Sequence, residues 1–413
     1  RVQVIRMGTD DHVLLLSLHH IVSDGWSMGV FFKELEICYR ACCDGQDPTL
    51  PPLPVQYADY AVWQREYLQG DRLEQEVDYW REYLDGRLST LQLPTDFPRP
   101  VTQSQRGARE GLVLLPELKT GLFEFSQRSG TTVFMTLLAI FQSLVHRWSG
   151  QDDLCVGIPS AGRTRAETEG LIGFFINTLT VRTRVVEDSR FRDVLNQVRS
   201  GVLGAQAHQT VPFEKLVEVI QPTRDLNRTP VFQILFNMVP RESHPFALPG
   251  LAAEGVGDRD PDSKFDLTLY AKEGAAGIQL SLVYNADLFS AERIQAFLQQ
   301  FRTVAEQVVE DPDLPLTAFS LVTRNTRARI PDPCVSLTVP RQPLVADLIA
   351  GWALEHPEHP AVRQGSQQWS YSDLATRAEQ LGRSLAAKGL QEGTVVALCG
   401  RPSFGLIAGM LGV

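Results

Sequence analysis

At 413 residues the chain is longer than one ordinary core, and its length fits about two to three domains. Hydrophobic residues make up 43% and charged residues 21%, as in globular chains, and no run approaches the ~18 consecutive apolar residues of a membrane-spanning helix. A net charge of −10 with no basic stripe argues against a nucleic-acid partner and leaves small molecules and proteins.

The first elements read as a hairpin, with strands Val2 to Met7 and His12 to Leu18 around the turn Gly8-Thr9-Asp10-Asp11. The strand runs into His19-His20-Ile21-Val22-Ser23-Asp24-Gly25. A helix from Trp26 to Ala41 follows, with Val30, Phe31, Leu35 and Cys38 on its buried face and Gly45 as its stop. Two aromatic-rich helices come next, Val55 to Leu68 and Arg72 to Leu84, ending at Gly86. The polar, proline-rich stretch Pro94 to Arg109 is the best internal boundary.

Beyond it the chain alternates strand and helix in a mixed α/β pattern. The predicted order is strand Gly111 to Leu115, a helix opened by Pro116, helix Thr132 to Trp148, and strands Leu154 to Ile158 and Phe174 to Arg184. Helices Phe191 to Ala207 and Pro212 to Ile220, strand Val231 to Val239, hairpin Phe265 to Lys272 with Ile278 to Tyr284, and a helix capped by Ser290 complete it. In the Thr132 helix Phe134, Leu137, Leu138, Phe141, Leu144, Val145 and Trp148 recur at threes and fours, the mark of a core helix.

Pro312 to Pro343 is rich in proline and poor in periodicity, so it reads as a linker. A new domain then begins with helices Leu344 to His356 and Tyr371 to Leu385, a strand Val395 to Leu398, and a closing apolar element without a cap. The expected division is 1–95, 96–322, a linker 323–343, and 344–413. Six scattered cysteines form no Cys-x-x-Cys pair, and Cys38 and Cys42, four apart on a predicted helix, lack a partner set for a metal. They read as thiols in a reducing cytoplasm, and no metal site is expected. The chain opens on Arg1 inside an alternating segment, with no signal sequence, and reads as part of a longer polypeptide.

The histidine corner is the chemically informative feature. Successive strand side chains point to opposite faces, so one of His19 and His20 faces a given cleft while the other is structural. Asp24 has two local readings, a cap for the next helix and a counter-charge for a buried arginine. Gly25 is read as the residue whose missing Cβ lets the corner turn tightly.

His-His-x-x-x-Asp-Gly, from His19 to Gly25, resembles the signature of the condensation domains of nonribosomal peptide synthetases, whose fold is related to chloramphenicol acetyltransferase. The likeness continues in Tyr57-Ala58-Asp59-Tyr60-Ala61-Val62-Trp63, in Ile172-Gly173-Phe174-Phe175-Ile176-Asn177-Thr178, in His208 to Glu214, and in Arg224 to Pro230. Thr210 and Asn227 depart from it, standing where the family often has aspartate and serine. The sequence after Gly25 is similar to the subtype that joins an L-configured donor to an L-configured acceptor. Residues 344 to 413 resemble the start of an adenylation domain, through Trp369-Ser370-Tyr371-Ser372-Asp373-Leu374.

The resemblance implies a two-lobed chloramphenicol-acetyltransferase-like α/β fold followed by the first part of an α/β adenylate-forming domain. It implies amide formation between a donor thioester and the amine of an acceptor aminoacyl thioester, both on 4'-phosphopantetheine of upstream and downstream carrier proteins. No nucleic acid or membrane takes part. It casts His20 as the catalytic residue, as base or as positioning group, with His19, Asp24 and Gly25 in support and Trp26 and Asn177 lining the substrate channel; for Asn177 a structural role, closing a turn or bonding the strand backbone, stands equally beside it. His208 is read as packing beside Pro212 and Phe213. The family's arginine partner for the motif aspartate is placed upstream of Arg1, leaving Asp24 unpaired. ATP and magnesium belong to a complete adenylation domain only. Two alternatives are a free-standing CoA-dependent acyltransferase of the same fold and a non-catalytic scaffold.

Overall fold

A computed structural model describes every residue except 86–88, 187, 221–226, 240–245, 256–260, 329, 331–342 and 392. The chain divides into two compact units, Arg1–Ile330 and Pro331–Val413. The Gly86 stop, much of the predicted linker and Arg224 to Leu226 lie outside the described residues.

The first unit opens with antiparallel strands β1 (Val2–Arg6) and β2 (His12–Leu16), paired from Val2 with Leu16 to Arg6 with His12. The second strand ends at Leu16, two residues earlier than expected, and a short 3-10 turn His20–Val22 leads into helix α1 (Gly25–Cys43). Of α1 only Ser27 is buried; Val30, Phe31, Leu35 and Cys38 are half-buried rather than core. Helices α2 (Tyr57–Tyr67) and α3 (Gly70–Tyr83) follow, and α3 buries Val77 and Trp80.

The rest of this unit is built on one six-stranded sheet. It comprises β3 (Gly107–Leu114), β4 (Asp153–Ser160), β5 (Asn177–Arg184), β6 (Ile234–Val239), β7 (Leu267–Gly274) and β8 (Gly277–Asn285), in the order β3-β8-β7-β6-β4-β5. β6 runs parallel to β7 and β4, and the other neighbours are antiparallel. Helices α4 (Pro116–Arg128), α5 (Val133–Ser149), α6 (Phe191–Ala207), α7 (Phe213–Ile220) and α8 (Ala291–Glu310) pack on it and on each other, before the short α9 (Arg324–Arg327).

The apolar spacing of α5 has the predicted consequence, an unbroken buried run from Met135 to Val145. Thr132 caps its start by accepting from Met135 N, and Gly150 ends it in the left-handed conformation that glycine adopts without penalty. This helix packs on β4 and on α4, α6 and α8. The segment before β3 is bonded to the residues directly ahead of β6 and β7: Leu91 N donates to Gln233 Oε1 at 2.8 Å, and Arg99, in the proline-rich stretch, grips Asp266 with both terminal nitrogens.

The second unit contains α10 (Val345–Glu355), a hairpin of β9 (Pro360–Gln364) and β10 (Gln367–Ser370), α11 (Tyr371–Ala387) and α12 (Phe404–Gly412). The hairpin was not predicted; its short, polar strands carry little alternating signal. Val395 to Leu398 is not a strand. The closing apolar element is a helix with a cap after all, since Ser403 accepts from Leu406 N.

Candidate active site

The corner is held from below by a buried polar hub. Asp24 caps α1 by accepting from Ser27 N at 2.8 Å, as its position before the helix favours. Its other oxygen accepts from Phe175 N at 3.0 Å, 151 residues away in sequence. Arg163 Nη2 lies 3.4 Å from Asp24 Oδ1, with the two side chains 1% and 2% exposed. Both local readings of the aspartate therefore hold together, cap and counter-charge. The expectation that Asp24 is unpaired is corrected: it pairs with Arg163, in the loop after β4.

Arg163 is itself tied down. Its Nη1 donates to the carbonyls of Thr168 and Leu171, its Nη2 to Ser27 Oγ at 2.9 Å, and its guanidinium lies 4.1 Å over the Phe175 ring. Burial alone raises the Asp24 pKa, but donation from the Ser27 and Phe175 amides and the Ser27 hydroxyl, with the Arg163 charge, outweighs it and holds the carboxyl below its ordinary value. Burial pulls Arg163 the other way, below its usual value, against the pull of Asp24.

His19 and His20 are separated by the 3-10 turn rather than by strand alternation. His19 Nδ1 accepts from Ile21 N at 3.1 Å, so it caps the turn. His20 Nδ1 lies 2.7 Å from Ser23 O. A carbonyl oxygen only accepts, so Nδ1 carries the proton, and in the neutral ring Nε2 keeps its lone pair. His20 is solvent-exposed, and its ring meets Phe174 edge-on at 5.3 Å and 84°. That arrangement presents a proton acceptor on a rigid corner.

Gly25 is not what lets the corner turn: a Cβ there would meet nothing within 4 Å. The tight approaches are at Gly162, which takes φ +66° against the Phe175 carbonyl, and at Gly173, where a Cβ would overlap the Tyr57 ring. Gly173→Ala is expected to cost about 1–3 kcal/mol by overpacking, read as a lowered denaturant midpoint with unchanged slope.

Trp26 sits at the rim of the corner, half-exposed, with its indole N–H donated to Glu169 O at 2.9 Å. Asn177 lines a cavity of about 240 Å³ together with Tyr57, Tyr60, Trp63, Phe174 and Phe213. Its amide is spent on backbone: Nδ2 donates to the carbonyls of Gln209 and Val211, and Oδ1 accepts from the amides of Thr178 and Phe213. It closes the wall of the cavity and offers little to a ligand. His208 stacks on Tyr79 at 3.8 Å and meets Glu76 at 3.0 Å, so its polar and ring contacts go to α3. A wider surface hollow of about 630 Å³ near Lys119 and Glu273 carries no histidine or cysteine.

Sequence reasoning missed Arg163, Ser27 and Phe174. No group of three or more metal-ligating side chains gathers among the described residues. Burial pushes the Cys155 thiol up to about 12, so it is no nucleophile.

The α/β scaffold and its histidine corner define the class: the chloramphenicol-acetyltransferase-like fold shared by condensation domains. A family model described as the condensation domain matches residues 1–330, and one for AMP-binding enzymes matches residues 349–413. The chain belongs to the condensation-domain family and continues into the start of an AMP-binding domain. A linear gramicidin synthase from Brevibacillus parabrevis is 40% identical over 420 residues, which cover 100% of this chain and 8% of the relative. The chain thus spans a small part of that protein.

Among solved structures, the complex of the X-domain and OxyB from teicoplanin biosynthesis matches with TM-score 0.70 and 30% identity, over 78% of this chain and 72% of the other. The four-domain nonribosomal peptide synthetase AB3403 shares the fold, with TM-score 0.75 and 22% identity over 95% of this chain and 31% of its own.

Proposed function

We propose that the chain is the peptide-bond-forming part of an elongation module. The α-amine of an aminoacyl thioester on a downstream carrier attacks the carbonyl carbon of an acyl or peptidyl thioester on an upstream carrier. As the C–N bond forms, the amine gives a proton to His20 Nε2. The C–S bond then breaks, and the departing pantetheine sulfur takes up a proton.

The observation that carries this reading is the Nδ1–Ser23 O bond, which leaves Nε2 of an exposed imidazole as a free acceptor on a corner fixed by Asp24, Ser27 and Arg163. A thioester is already activated, so no enzyme nucleophile is required. An α-amine has a pKa of about 7.7–8.0, so the base has a modest task and positioning supplies much of the rate. Residues 1–95 form the lobe bearing the corner and 96–322 the second lobe; Trp26 and the aromatic face of α2 wall the channel. The phosphopantetheine arms arrive with the carriers as part of the substrates. Five described cysteines are unpaired, which suits a cytoplasmic enzyme.

A second reading, a recruitment surface, draws on the teicoplanin X-domain, which is found in complex with OxyB. The discriminating assay supplies the donor as carrier-bound thioester, as CoA thioester, or not at all. Amide product from carrier-bound donor alone supports the proposal, equal use of CoA thioesters supports a free-standing acyltransferase, and carrier binding without product supports the scaffold.

A further inference from the structure

His20 is exposed, and one hydrogen bond from Nδ1 does not stop its ring from turning over. The structure supplies the missing restraint from a segment 154 positions further on. Phe174 meets the imidazole edge-on, with centroids 5.3 Å apart. The ring is itself 37% exposed, so burial is only part of what it contributes.

Its backbone is fixed on both sides by the hub under the corner. Ser27 Oγ accepts from Gly173 N at 3.1 Å and stands 2.9 Å from Gly173 O; Asp24 Oδ2 accepts from Phe175 N at 3.0 Å. Between them the Phe174 carbonyl accepts from Tyr57 OH at 2.8 Å. The flanking Phe175 ring packs on Tyr57 and Tyr60 and under Arg163, while Phe174 is turned to His20.

We propose that Phe174 is a positioning residue that holds the His20 imidazole with Nδ1 on Ser23 O and Nε2 outward, and that Ser27 is the clamp holding Phe174 in place. Ser27 suits this role because its hydroxyl is completely buried and saturated: two lone pairs take Arg163 Nη2 and Gly173 N, and one proton is shared between Asp24 and Gly173 O. Removing the hydroxyl takes away both anchors on Gly173 and loosens the segment on that side, while the Asp24 and Tyr57 bonds to Phe175 and Phe174 remain and the histidine is untouched. The inference rests on the reading of His20 as the reacting group, but its geometry is measurable apart from the reaction.

The test uses the full chain labelled with 15N-histidine, comparing wild type with Phe174→Ala, Phe174→Tyr, Ser27→Ala and the Phe174→Ala/Ser27→Ala pair. The wild type is expected to show His20 with its proton on Nδ1. Phe174→Ala and Ser27→Ala are expected to give a mixture of both tautomers, and Phe174→Tyr to restore the wild-type spectrum. Single-turnover rates on loaded carriers should fall about ten- to a hundredfold in both alanine variants, with half-saturation for either carrier unchanged. The pair should be no slower than the worse single variant, because both act on one ring. An unchanged tautomer in Phe174→Ala overturns the proposal. A shifted tautomer with an unchanged rate upholds the positioning and overturns instead the reading of His20 as the reacting group.

Discussion

His20→Ala is expected to abolish most amide formation while leaving the fold as stable as before. A positioned acid–base group contributes roughly 10²–10⁴ in rate, and this imidazole is the free acceptor on the corner. Its side chain is exposed and, among the described residues, hydrogen-bonds to the Ser23 carbonyl alone, which water can satisfy, so the stability change should stay within about 0.5 kcal/mol. His19→Ala is the internal control. It removes the cap on Ile21 N and should retain most of the rate. Single-turnover product formation, paired with thermal unfolding of each variant, separates the two outcomes. A His20→Ala chain that forms product at the wild-type rate would show that the corner only shapes the channel.

Asp24→Asn is expected to be the most damaging of the conservative substitutions to stability. The carboxylate is the counter-charge of an arginine whose side chain is 1% exposed, and removing one partner of a buried pair costs about 3–5 kcal/mol. The amide also cannot accept at both positions, so one of Ser27 N and Phe175 N loses its partner. Denaturant midpoints should show the loss directly. Arg163→Met in the same background should cost less than the sum of the two single changes, since the orphaned charge is then gone.

The same carboxylate gives a pH signature. Its folded pKa lies below its unfolded value, so its contribution is complete above the unfolded pKa near ~3.9 and is lost as pH falls through the folded one. Wild type should therefore lose stability below about pH 4 more steeply than Asp24→Asn, whose residual stability lacks this component.

The histidine corner, the core helix α5 and the order of strands and helices around it were legible because each rests on local pattern. Periodic apolar residues place α5 in the core whatever lies around it, and Asp24 before a helix caps it. The pairing of Asp24 with Arg163 spans 139 residues, and no local pattern says that the loop after β4 folds back under the corner. The roles of Ser27 and Phe174 were hidden for the same reason. Gly25 shows the opposite error, in which local logic suggested a tight approach that tertiary contacts place at Gly162 and Gly173 instead. In the second unit, Val395 to Leu398 is apolar enough for a strand, but among the described residues the small sheet there pairs β9 with β10 alone.

On the proposed function, this corner joins two carrier-bound acyl groups. The most direct measurement of this is the intact mass of both carriers after a single turnover with the full chain. The acceptor carrier should gain the mass of the donor acyl group and the donor carrier return to its free thiol, at a rate that depends on His20. A donor carrier that loses its acyl group to water while the acceptor mass stays unchanged would contradict it.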